Sequence, residues 1–565
     1  MQAPPWILVG TLAATLAAML ALCGCYDDGV YHDIIKLNDE RESDGDTETD
    51  GSATGLPGVT ITDGSPENTD GNTDGDTDGA TIPGGVDGEG LGADQPPLIS
   101  ALRIDGEDGD GVVFEAVRTA ILEVDASDDR LLESVTFSID DVPVATLTEP
   151  PYSYAWVIDD VTASHSHSLH AEARDNSGQR SHSAASVTFS LPPGGSELWS
   201  DPGLPFYAGA VEDLALSPKG SVIAAGTRSI DNESAFAQAV VRIISPISGG
   251  LELDVAYPKD KDNVGGAYRA RAVGMMADGR IVAGGSFIPA NDPMLTPRPW
   301  LAIFSPSGMP VAVKLFKSER GEIRDLVVSA GDVLITGDLI KAGATQAWIA
   351  RADDELKLDW QQTLNVPGSE WSSSRALALA DDGSLYLAGT TFDGVTPRVL
   401  AASIGESGLP LWSGAVPPLG EGGDFGEALA ISAAGELLIG GAVNYEDGQQ
   451  MSLRWLSAKD GQSSGHFAIP SVVDGDQRVM GLTVDHLGRV YITANITGTD
   501  DDVNVVVYKR SIDGGASHWE RLYDSADDLY DCGSAIAVDP HGYVYAGGSR
   551  SDQGWPRWWV QGHNP

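Results

Sequence analysis

The stretch DDGSLYLAGTT, Asp381 to Thr391, decides the fold of the longer part of this 565-residue chain. Its Asp-Gly pair is typical of a tight turn, and the apolar run after it predicts a short strand. Related stretches recur beyond Gly194. The six other copies are SPKGSVIAAGT (217–227), ADGRIVAGGS (277–286), SAGDVLITGD (329–338), AAGELLIGGA (433–442), HLGRVYITAN (486–495) and PHGYVYAGGS (540–549).

The turn glycines of these seven copies follow one another at a nearly constant interval. The successive steps are 59, 52, 52, 52, 53 and 54 residues, which indicates a repeat architecture. Because other copies have Lys, Ala, Leu or His before the glycine, we interpret Asp382-Gly383 as a hairpin turn rather than a metal loop. The glycines are Gly220, Gly279, Gly331, Gly383, Gly435, Gly488 and Gly542.

Each repeat predicts four strands. An apolar strand precedes the turn, a strand rich in Gly and Ala follows it, and a third strand comes next. The fourth carries aromatic residues, as in Leu358-Asp359-Trp360 and Leu411-Trp412. Four strands in about 50 residues are the dimensions of a β-propeller blade. Small residues in the second strand are expected where backbones approach closely.

The seventh repeat lacks a fourth strand of its own. Its third strand contains Trp558 and Trp559, and the sequence then ends at Pro565. Before the first repeat, however, Leu198 and Trp199 match the Leu-Trp of other fourth strands. We therefore predict that Leu198 and Trp199 complete the last blade, so that seven blades close as a ring without an open edge.

The repeats resemble the bacterial propeller repeats of the delta-60 and SBBP type, through DGxxxxAG words followed by a third strand. This resemblance covers residues 197–565 and implies a fold rather than a chemistry. A weaker similarity links LRWLSAKDGQ (453–462) and GLPLWSGAV (408–416) to PQQ-like repeats. It implies quinone binding as an alternative.

A second module precedes the repeats. Residues 98–192 contain short alternating apolar runs between turn residues, spaced as in a β-sandwich. LEVDASDD (122–129), SVTFSIDDVPV (134–144), PPYSYAW (150–156) and SHSLHAEARDNSG (166–178) resemble the bacterial immunoglobulin-like domains. The resemblance implies that Trp156 and Tyr154 fill the core. A zinc site of His165, His167 and His170 is the alternative to a structural role for these histidines.

The N-terminus predicts the compartment. An apolar run of about 17 residues, near the length of a signal-peptide core, ends in Leu22-Cys23-Gly24-Cys25. This tetrapeptide resembles the bacterial lipobox, which implies cleavage after Gly24 and acylation of Cys25. Tyr26, where Asp would imply inner-membrane retention, favours the outer membrane or cell surface. The residues before the run lack the usual Lys or Arg, which a misassigned start codon or a tolerant export system would explain. An uncleaved membrane helix is the alternative to a signal peptide.

Residues 25–97 predict an acidic, disordered linker, because this segment has too few apolar residues to offset the cost of ordering. Asp70-Gly71-Asn72-Thr73-Asp74-Gly75 matches the first half of a calcium loop, but the position that needs Glu holds Thr81. We therefore expect no cofactor, with Ca²⁺ as the alternative. Once Cys25 is acylated, Cys532 is the only remaining thiol, so we expect no intrachain disulfide.

The predicted organisation is thus a signal peptide (1–24), a linker (25–97), an immunoglobulin-like sandwich (98–193) and a seven-bladed propeller (194–565), all-β throughout. The net charge of −49 argues against nucleic acid as a partner. We expect a monomer that contacts the membrane through its lipid.

Two classes of function remain open. The first is a non-catalytic surface lipoprotein whose propeller binds a protein, peptide or glycan. Trp371, Tyr445 and Trp555 are the candidate contact residues, with packing in the core as the alternative for each. The alternative is an enzyme, a hydrolase, lyase or quinoprotein, that uses the central funnel of the ring. The sequence carries no recognisable catalytic or metal-binding motif, so no catalytic or metal residue is predicted.

Overall fold

The computed structural model describes residues 94–116, 118–158, 166–201, 208–229, 237–259, 265–292, 296–446, 448–469, 475–498, 502–512, 517–525, 531–552 and 555–565. These ranges form β-strands and no helix, so the described part of the chain offers no helix that could span a membrane. The predicted fold class is confirmed: a β-sandwich is followed by a seven-bladed β-propeller.

The sandwich consists of two sheets with the strand orders β2-β1-β4-β7 and β3-β9-β8-β5-β6. Its core lies between them, where Trp156 meets Phe189 edge to face at 6.1 Å and Tyr154 stacks on Phe137 at 6.4 Å. The strands are β1 (Leu98–Ile104), β2 (Glu107–Asp108), β3 (Val112–Phe114), β4 (Thr119–Ser127), β5 (Leu132–Ile139), β6 (Val142–Leu147), β7 (Tyr152–Val157), β8 (Ser166–Asp175) and β9 (Arg180–Phe189).

Seven units of four antiparallel strands follow, which we number as blades one to seven. One parallel bridge, between Ala237 and Ala267, joins blades one and two into an eight-stranded sheet. Blades one to four contain β11 (Gly209–Leu216), β12 (Val222–Ser229), β13 (Ala237–Ile244) and β14 (Leu251–Tyr257); β15 (Gly266–Met275), β16 (Ile281–Pro289), β17 (Arg298–Phe304) and β18 (Pro310–Leu315); β19 (Gly321–Ser329), β20 (Asp332–Lys341), β21 (Ala344–Ala352) and β22 (Leu358–Thr363); and β23 (Trp371–Leu379), β24 (Leu385–Phe392), β25 (Pro397–Ile404) and β26 (Pro410–Ala415).

Blades five to seven contain β27 (Asp424–Ile431), β28 (Glu436–Tyr445), β29 (Gly448–Ser457) and β30 (Ser463–Ala468); β31 (Asp476–Val484), β32 (Arg489–Thr497), β33 (Val503–Ser511) and β34 (Ser517–Tyr523); and β35 (Cys532–Val538), β36 (Val544–Asp552), β37 (Trp555–His563) and β10 (Glu197–Asp201). In the last unit β10, from the start of the repeat region, pairs antiparallel with β37, from the end of the chain. The first and last repeats are thereby joined.

The hydrophobic core of the propeller lies between neighbouring blades. Trp348 of blade three, fully buried, packs against Phe316 at the end of blade two with the rings 5.5 Å apart. Equivalent clusters join each of the other neighbouring pairs, including blades seven and one. Because each blade buries its apolar faces against two others, the ring is stabilised only as a whole.

The turn of the opening stretch is a left-handed turn that only glycine adopts without strain. Gly383 has φ of +84°, and its six counterparts have φ between +76° and +91°. These turns join the first strand of each blade to the second and lie on one side of the ring, which we call the turn face. The opposite side, where first strands begin and second strands end, is the loop face.

Candidate functional site

The first strand of every blade carries a β-bulge at the same position. In each blade one residue of the first strand has no partner on the second strand. The residue just before it pairs with a glycine or an alanine. A bulge inserts one unpaired residue and bends its strand. At Gly389 of blade four a side chain would overlap with the carbonyl oxygen of Ser373, which accounts for the predicted small residues of the second strands.

The bulged residues form a ring of side chains on the strands that line the axis of the propeller. Five of the seven are charged, and in blade order two glutamates stand on either side of three consecutive arginines. In blade order the residues are Glu212, Arg271, Arg324, Arg375, Glu427, Met480 and Ser534.

The axial charges are joined by ion pairs that cross blade boundaries. Arg271 of blade two contacts Glu212 of blade one at 3.2 Å and Glu322 of blade three at 2.7 Å. Glu322 also pairs with Arg324 at 2.5 Å, and Arg324 reaches Asp338 at 3.2 Å. These side chains are only 8–14% exposed, so the pairs form in a largely dehydrated environment.

A second group of axial charges lies on blades four to six. Glu427 pairs with Arg375 at 3.6 Å and more closely with Arg478. Glu427 is 7% exposed, and its two arginines lie on the blades to either side. Arg478 also lies over the ring of Phe425 at 4.6 Å, a cation–π contact. Three consecutive blades are therefore connected through one buried carboxylate.

Pairing lowers the pKa values of two axial carboxylates, Glu322 and Glu427, whereas burial raises the pKa of Glu212 in spite of the Arg271 charge. Burial would raise the pKa of Glu322, but Arg271 and Arg324 outweigh it and lower that pKa to about 2. At Glu427 burial again raises the pKa, but the charges of Arg478 and Arg375 outweigh it, so the pKa is lowered. At Asp338 burial prevails over Arg324 and raises the pKa to about 6. Glu322 and Glu427 are thus ionised partners of arginines and unsuited to act as general acids near neutral pH.

Two aspartates next to the bulges bind the backbone of the following blade. Asp213 accepts a hydrogen bond from Val273 N at 2.8 Å, and Asp325 accepts one from Leu377 N at 2.6 Å. Burial raises the pKa of both carboxyl groups, and at Asp213 the Asp325 charge raises it further. Their hydrogen bonds give both groups a role in holding blades together.

The three predicted contact aromatics all lie on the loop face. Trp371 begins β23, Tyr445 ends β28 and Trp555 begins β37, and antiparallel pairing places these strand ends on the same side. Trp371 and Tyr445 are on adjacent blades, whereas Trp555 is on blade seven. The structure therefore places two of the three residues on neighbouring blades of this face.

The region around Trp371 presents apolar surface. Its ring stacks on Phe392 at 5.8 Å, and Val395, in the loop after Phe392, is 81% exposed. Tyr445 is 41% exposed, and a cavity of about 170 Å³ between Leu419 and Gln450 adjoins it. We call Trp371, Phe392, Val395 and Tyr445 the aromatic edge.

The remaining predicted residues lie in the structure as follows. Trp199, Trp558 and Trp559 are buried in blade seven, and Leu198 packs beside them. His167 bonds Asp140 and packs on Trp156 at 5.4 Å, in keeping with a structural role. No three His, Cys, Asp or Glu side chains of the described ranges gather as a metal site. His165, the calcium-like loop at 70–75, Gly24 and Cys25 lie outside those ranges.

One expectation is wrong. Cys532 begins β35 and is 1% exposed, as expected for a buried small residue, but it is disulfide-bonded. The partner lies outside the described residues. The expected absence of an intrachain disulfide is therefore contradicted.

Sequence reasoning missed the axial ring, although a signal was present. A charged residue stands eight positions before the turn glycine in blades one, two, four and five, and seven positions before it in blade three. This regularity marks a position that faces the axis in every blade. Which charges pair could not be predicted, because pairing depends on how adjacent blades pack.

Comparison with known proteins supports the sandwich assignment. A family model described as "Bacterial Ig domain" matches residues 109–171. No characterised protein matches the chain in sequence.

Several solved structures align with the chain at low similarity. The extracellular domain of a one-component system of B. thetaiotaomicron aligns with 9% identity and a TM-score of 0.39 over 65% of this chain and 40% of its own length. A quinonprotein alcohol dehydrogenase-like protein of Bacteroides thetaiotaomicron aligns with 13% identity and a TM-score of 0.30, over 76% of this chain and 97% of its own length. Quinohemoprotein alcohol dehydrogenase of Comamonas testosteroni aligns with 11% identity and a TM-score of 0.37, over 65% of this chain and 76% of its own length.

Proposed function

We propose that this chain is a non-catalytic, lipid-anchored protein of a bacterial cell surface whose propeller binds a protein, peptide or glycan through its loop face. The observation that carries this proposal is the mutual pairing of the axial charges. Arg271, Arg324, Arg375 and Arg478 share Glu212, Glu322 and Glu427 across blade boundaries. Arginines and carboxylates that already pair with one another across blade boundaries stabilise the propeller rather than bind a substrate.

The loop face offers the chemistry of a binding surface. Its aromatic edge combines stacked rings at Trp371 and Phe392 with an exposed valine and an exposed tyrosine on the next blade. Aromatic side chains are enriched at the centre of protein interfaces, because they bury large areas at a small cost in conformational entropy. An aromatic ring beside a small cavity also suits the apolar face of a sugar.

An anchored arrangement is consistent with this role. In the proposal Cys25 is acylated after cleavage at Gly24, and the acidic linker separates the folded domains from the outer membrane. Two or more acyl chains are needed for durable attachment, since one chain gives only marginal binding. The delta-60 and SBBP type of repeat would supply the propeller that the linker presents.

Mass spectrometry of the mature N-terminus tests the anchor. The expected result is a chain that begins at acylated Cys25, and an unmodified chain that begins at Met1 would contradict it. Measurement with and without reductant separates the anchor from the disulfide at Cys532, because cleavage after Gly24 removes Cys23 and acylation uses the thiol of Cys25. An intrachain disulfide in the mature protein would therefore contradict the anchor.

Binding is tested with the full mature protein on a glycan array and against surface proteins of the same cell. Trp371→Ala and Tyr445→Ala should each weaken a captured ligand by about tenfold or more, which corresponds to about 1.4 kcal/mol. Leu411→Ala is the control, since Leu411 is 74% exposed but lies on a fourth strand away from the aromatic edge. Unchanged affinity in both variants, or substrate turnover that Glu322→Gln abolishes, would contradict the proposal.

A further inference from the structure

Four blades carry a tryptophan at one position of the fourth strand. Trp360, Trp412, Trp519 and Trp199 each follow the bulge near the start of that strand. Each indole lies against a glycine of the next blade, namely Gly408, Gly461, Gly195 and Gly249. At Gly461 a Cβ atom would lie 2.7 Å from the Trp412 ring, so the glycine leaves room for the indole.

Two of these indoles are also held by a hydrogen bond. Trp199 Nε1 donates to Pro246 O at 2.7 Å, and Trp412 Nε1 donates to Ala458 O at 3.1 Å. Pro246 and Ala458 occupy equivalent places in the turn between third and fourth strands of the receiving blade. The boundary between two blades is therefore shaped for a flat apolar ring that has one N–H donor.

Three blades lack this tryptophan: Leu253 and Ala312 take its position in blades one and two, and blade five has no side chain there at all. Gly465 occupies the tryptophan position, opposite Trp455 of the third strand. A cavity of about 590 Å³ lies at this boundary between blades five and six. The backbone does not require glycine there: Gly465 has no positive φ, and the nearest atom to an added Cβ would be Trp455 Cε3 at 3.8 Å. The missing indole is thus not a consequence of backbone strain.

The walls of the cavity suit an aromatic guest. Trp455, Phe467 and Ile512 supply apolar surface, and Ile512 carries the carbonyl at the place of Pro246 and Ala458. His466, His486 and Glu436 lie at the rim, with Glu436 Oε1 accepting a hydrogen bond from Ser464 Oγ at 3.1 Å. The volume lies within the range of about 300–1,000 Å³ typical of small-molecule sites.

We propose that the cleft between blades five and six binds a planar aromatic ring of indole size, which takes the place that tryptophan occupies at four other boundaries. The ring packs on Trp455 and Phe467, and its N–H donates to Ile512 O. Two sources share this chemistry: a free indole compound, or a tryptophan side chain of a peptide. The site opens on the turn face, so it is distinct from the aromatic edge of the loop face.

Calorimetric titration of the full chain with indole and with N-acetyltryptophanamide tests the proposal. We expect saturable binding of indole at one site per chain. If N-acetyltryptophanamide also binds, the natural ligand is a tryptophan side chain of a peptide. If only indole binds, the natural ligand is a free indole compound. Absence of saturable indole binding would overturn the proposal.

Substitutions locate the site. Gly465→Trp should fill the cleft, weaken indole binding by at least tenfold and raise the midpoint of thermal unfolding; Gly465→Leu is the smaller filling variant if the first fails to fold. Gly414→Trp is the matched control, because Gly414 lies on the fourth strand of blade four with open space around it. Unchanged binding in the Gly465 variants, or equal loss in the control, would overturn the assignment.

A gain of binding provides an independent measurement. Trp412→Gly should open the same kind of cleft between blades four and five and raise the stoichiometry of indole from one to two. The Trp412→Gly protein could instead bind a single indole. If adding Gly465→Trp abolishes that binding, the indole occupies the natural cleft and the proposal stands. If the only indole bound by Trp412→Gly is at the new cleft, the proposal fails.

Discussion

Trp199 and Gly562 face each other in the last blade, although one precedes all the repeats and the other ends them. A side chain at Gly562 would overlap with the Trp199 ring, so the glycine leaves the space that the indole fills. Trp199 also stacks on Tyr545 of β36 at 5.9 Å and reaches the turn of blade one through Pro246. One residue therefore joins blades seven and one.

Removal of this ring should weaken the whole propeller. We expect Trp199→Ala to lower the free energy of unfolding by about 3–5 kcal/mol, the range for truncation of a buried aromatic residue. Urea unfolding followed by tryptophan fluorescence measures the change. Leu411→Ala, at an exposed site, should shift stability by less than about 0.5 kcal/mol. Equal stability of the two variants would show that β10 is not needed to close the ring.

Loss of the shared axial carboxylate should be costly and insensitive to salt. Glu322→Gln leaves Arg271 and Arg324 buried without their common partner, for an expected loss of about 3 kcal/mol, the lower end of the range for a broken buried pair. It is the lower end because Arg271 retains Glu212 and Arg324 retains Asp338. Since buried pairs are screened little, 1 M NaCl should not remove the difference.

The control for that measurement is the exposed Glu355→Gln, on the outer part of blade three. It should leave the urea midpoint nearly unchanged at either salt concentration. A loss at Glu322→Gln that disappears in high salt would mean that solvent reaches the axial pairs.

His563 should make the ring sensitive to acid. It is fully buried, and burial lowers its pKa from 6.5 to about 4. The folded state therefore prefers the neutral ring: its contribution is complete above pH 6.5 and is lost as the pH falls toward 4. The shift corresponds to about 3 kcal/mol.

The axial aspartates with raised pKa values act in the opposite direction, because they favour the folded state more at low pH, so a difference measurement is needed. We expect the stability gap between the natural chain and His563→Asn to change by about 3 kcal/mol between pH 7 and pH 4. His182→Asn, at an exposed site in the sandwich, controls for removal of a histidine. A gap that is independent of pH would contradict the lowered pKa.

The turn glycines should resist substitution for reasons of backbone alone. Gly383 has φ of +84° and no atom within 4 Å of an added Cβ, so any cost of Gly383→Ala comes from the left-handed conformation. We expect a loss of about 1–2 kcal/mol. Gly414→Ala, in equally open space without a positive φ, should be neutral or stabilise by up to about 1 kcal/mol. Thermal unfolding of both variants measures the contrast.

Much of the fold could be predicted because its information is local and repeated. Seven copies of a turn glycine at a constant step predict seven blades, and alternating apolar residues predict the strands within them. The sandwich could be predicted from its alternating apolar runs and its resemblance to bacterial immunoglobulin-like domains, and the family match over residues 109–171 agrees with it. The fourth strands could also have shown that Gly465 stands where four other blades have tryptophan.

The candidate sites could be predicted only in part. Trp371 and Tyr445 were expected to be exposed contacts, but their shared edge depends on strand ends that meet only in the ring. The partners of Arg271 lie one blade away on either side, and nothing in the local sequence specifies them. The axial pairs, the cleft beside Gly465 and the bond at Cys532 are all relationships between distant segments.

The sequence by itself determined the repeat, the number of blades and the residues that turn the chain, because φ at Gly383 and the period of apolar residues act over a few positions. Only the tertiary structure decided which charges neutralise each other and where space is left. Bulges turn Glu212, Arg271 and Glu427 toward one axis, and packing brings each beside a neighbour more than 50 residues away. Electrostatic pairing and cavity volume depend on distances in space, which local sequence does not encode.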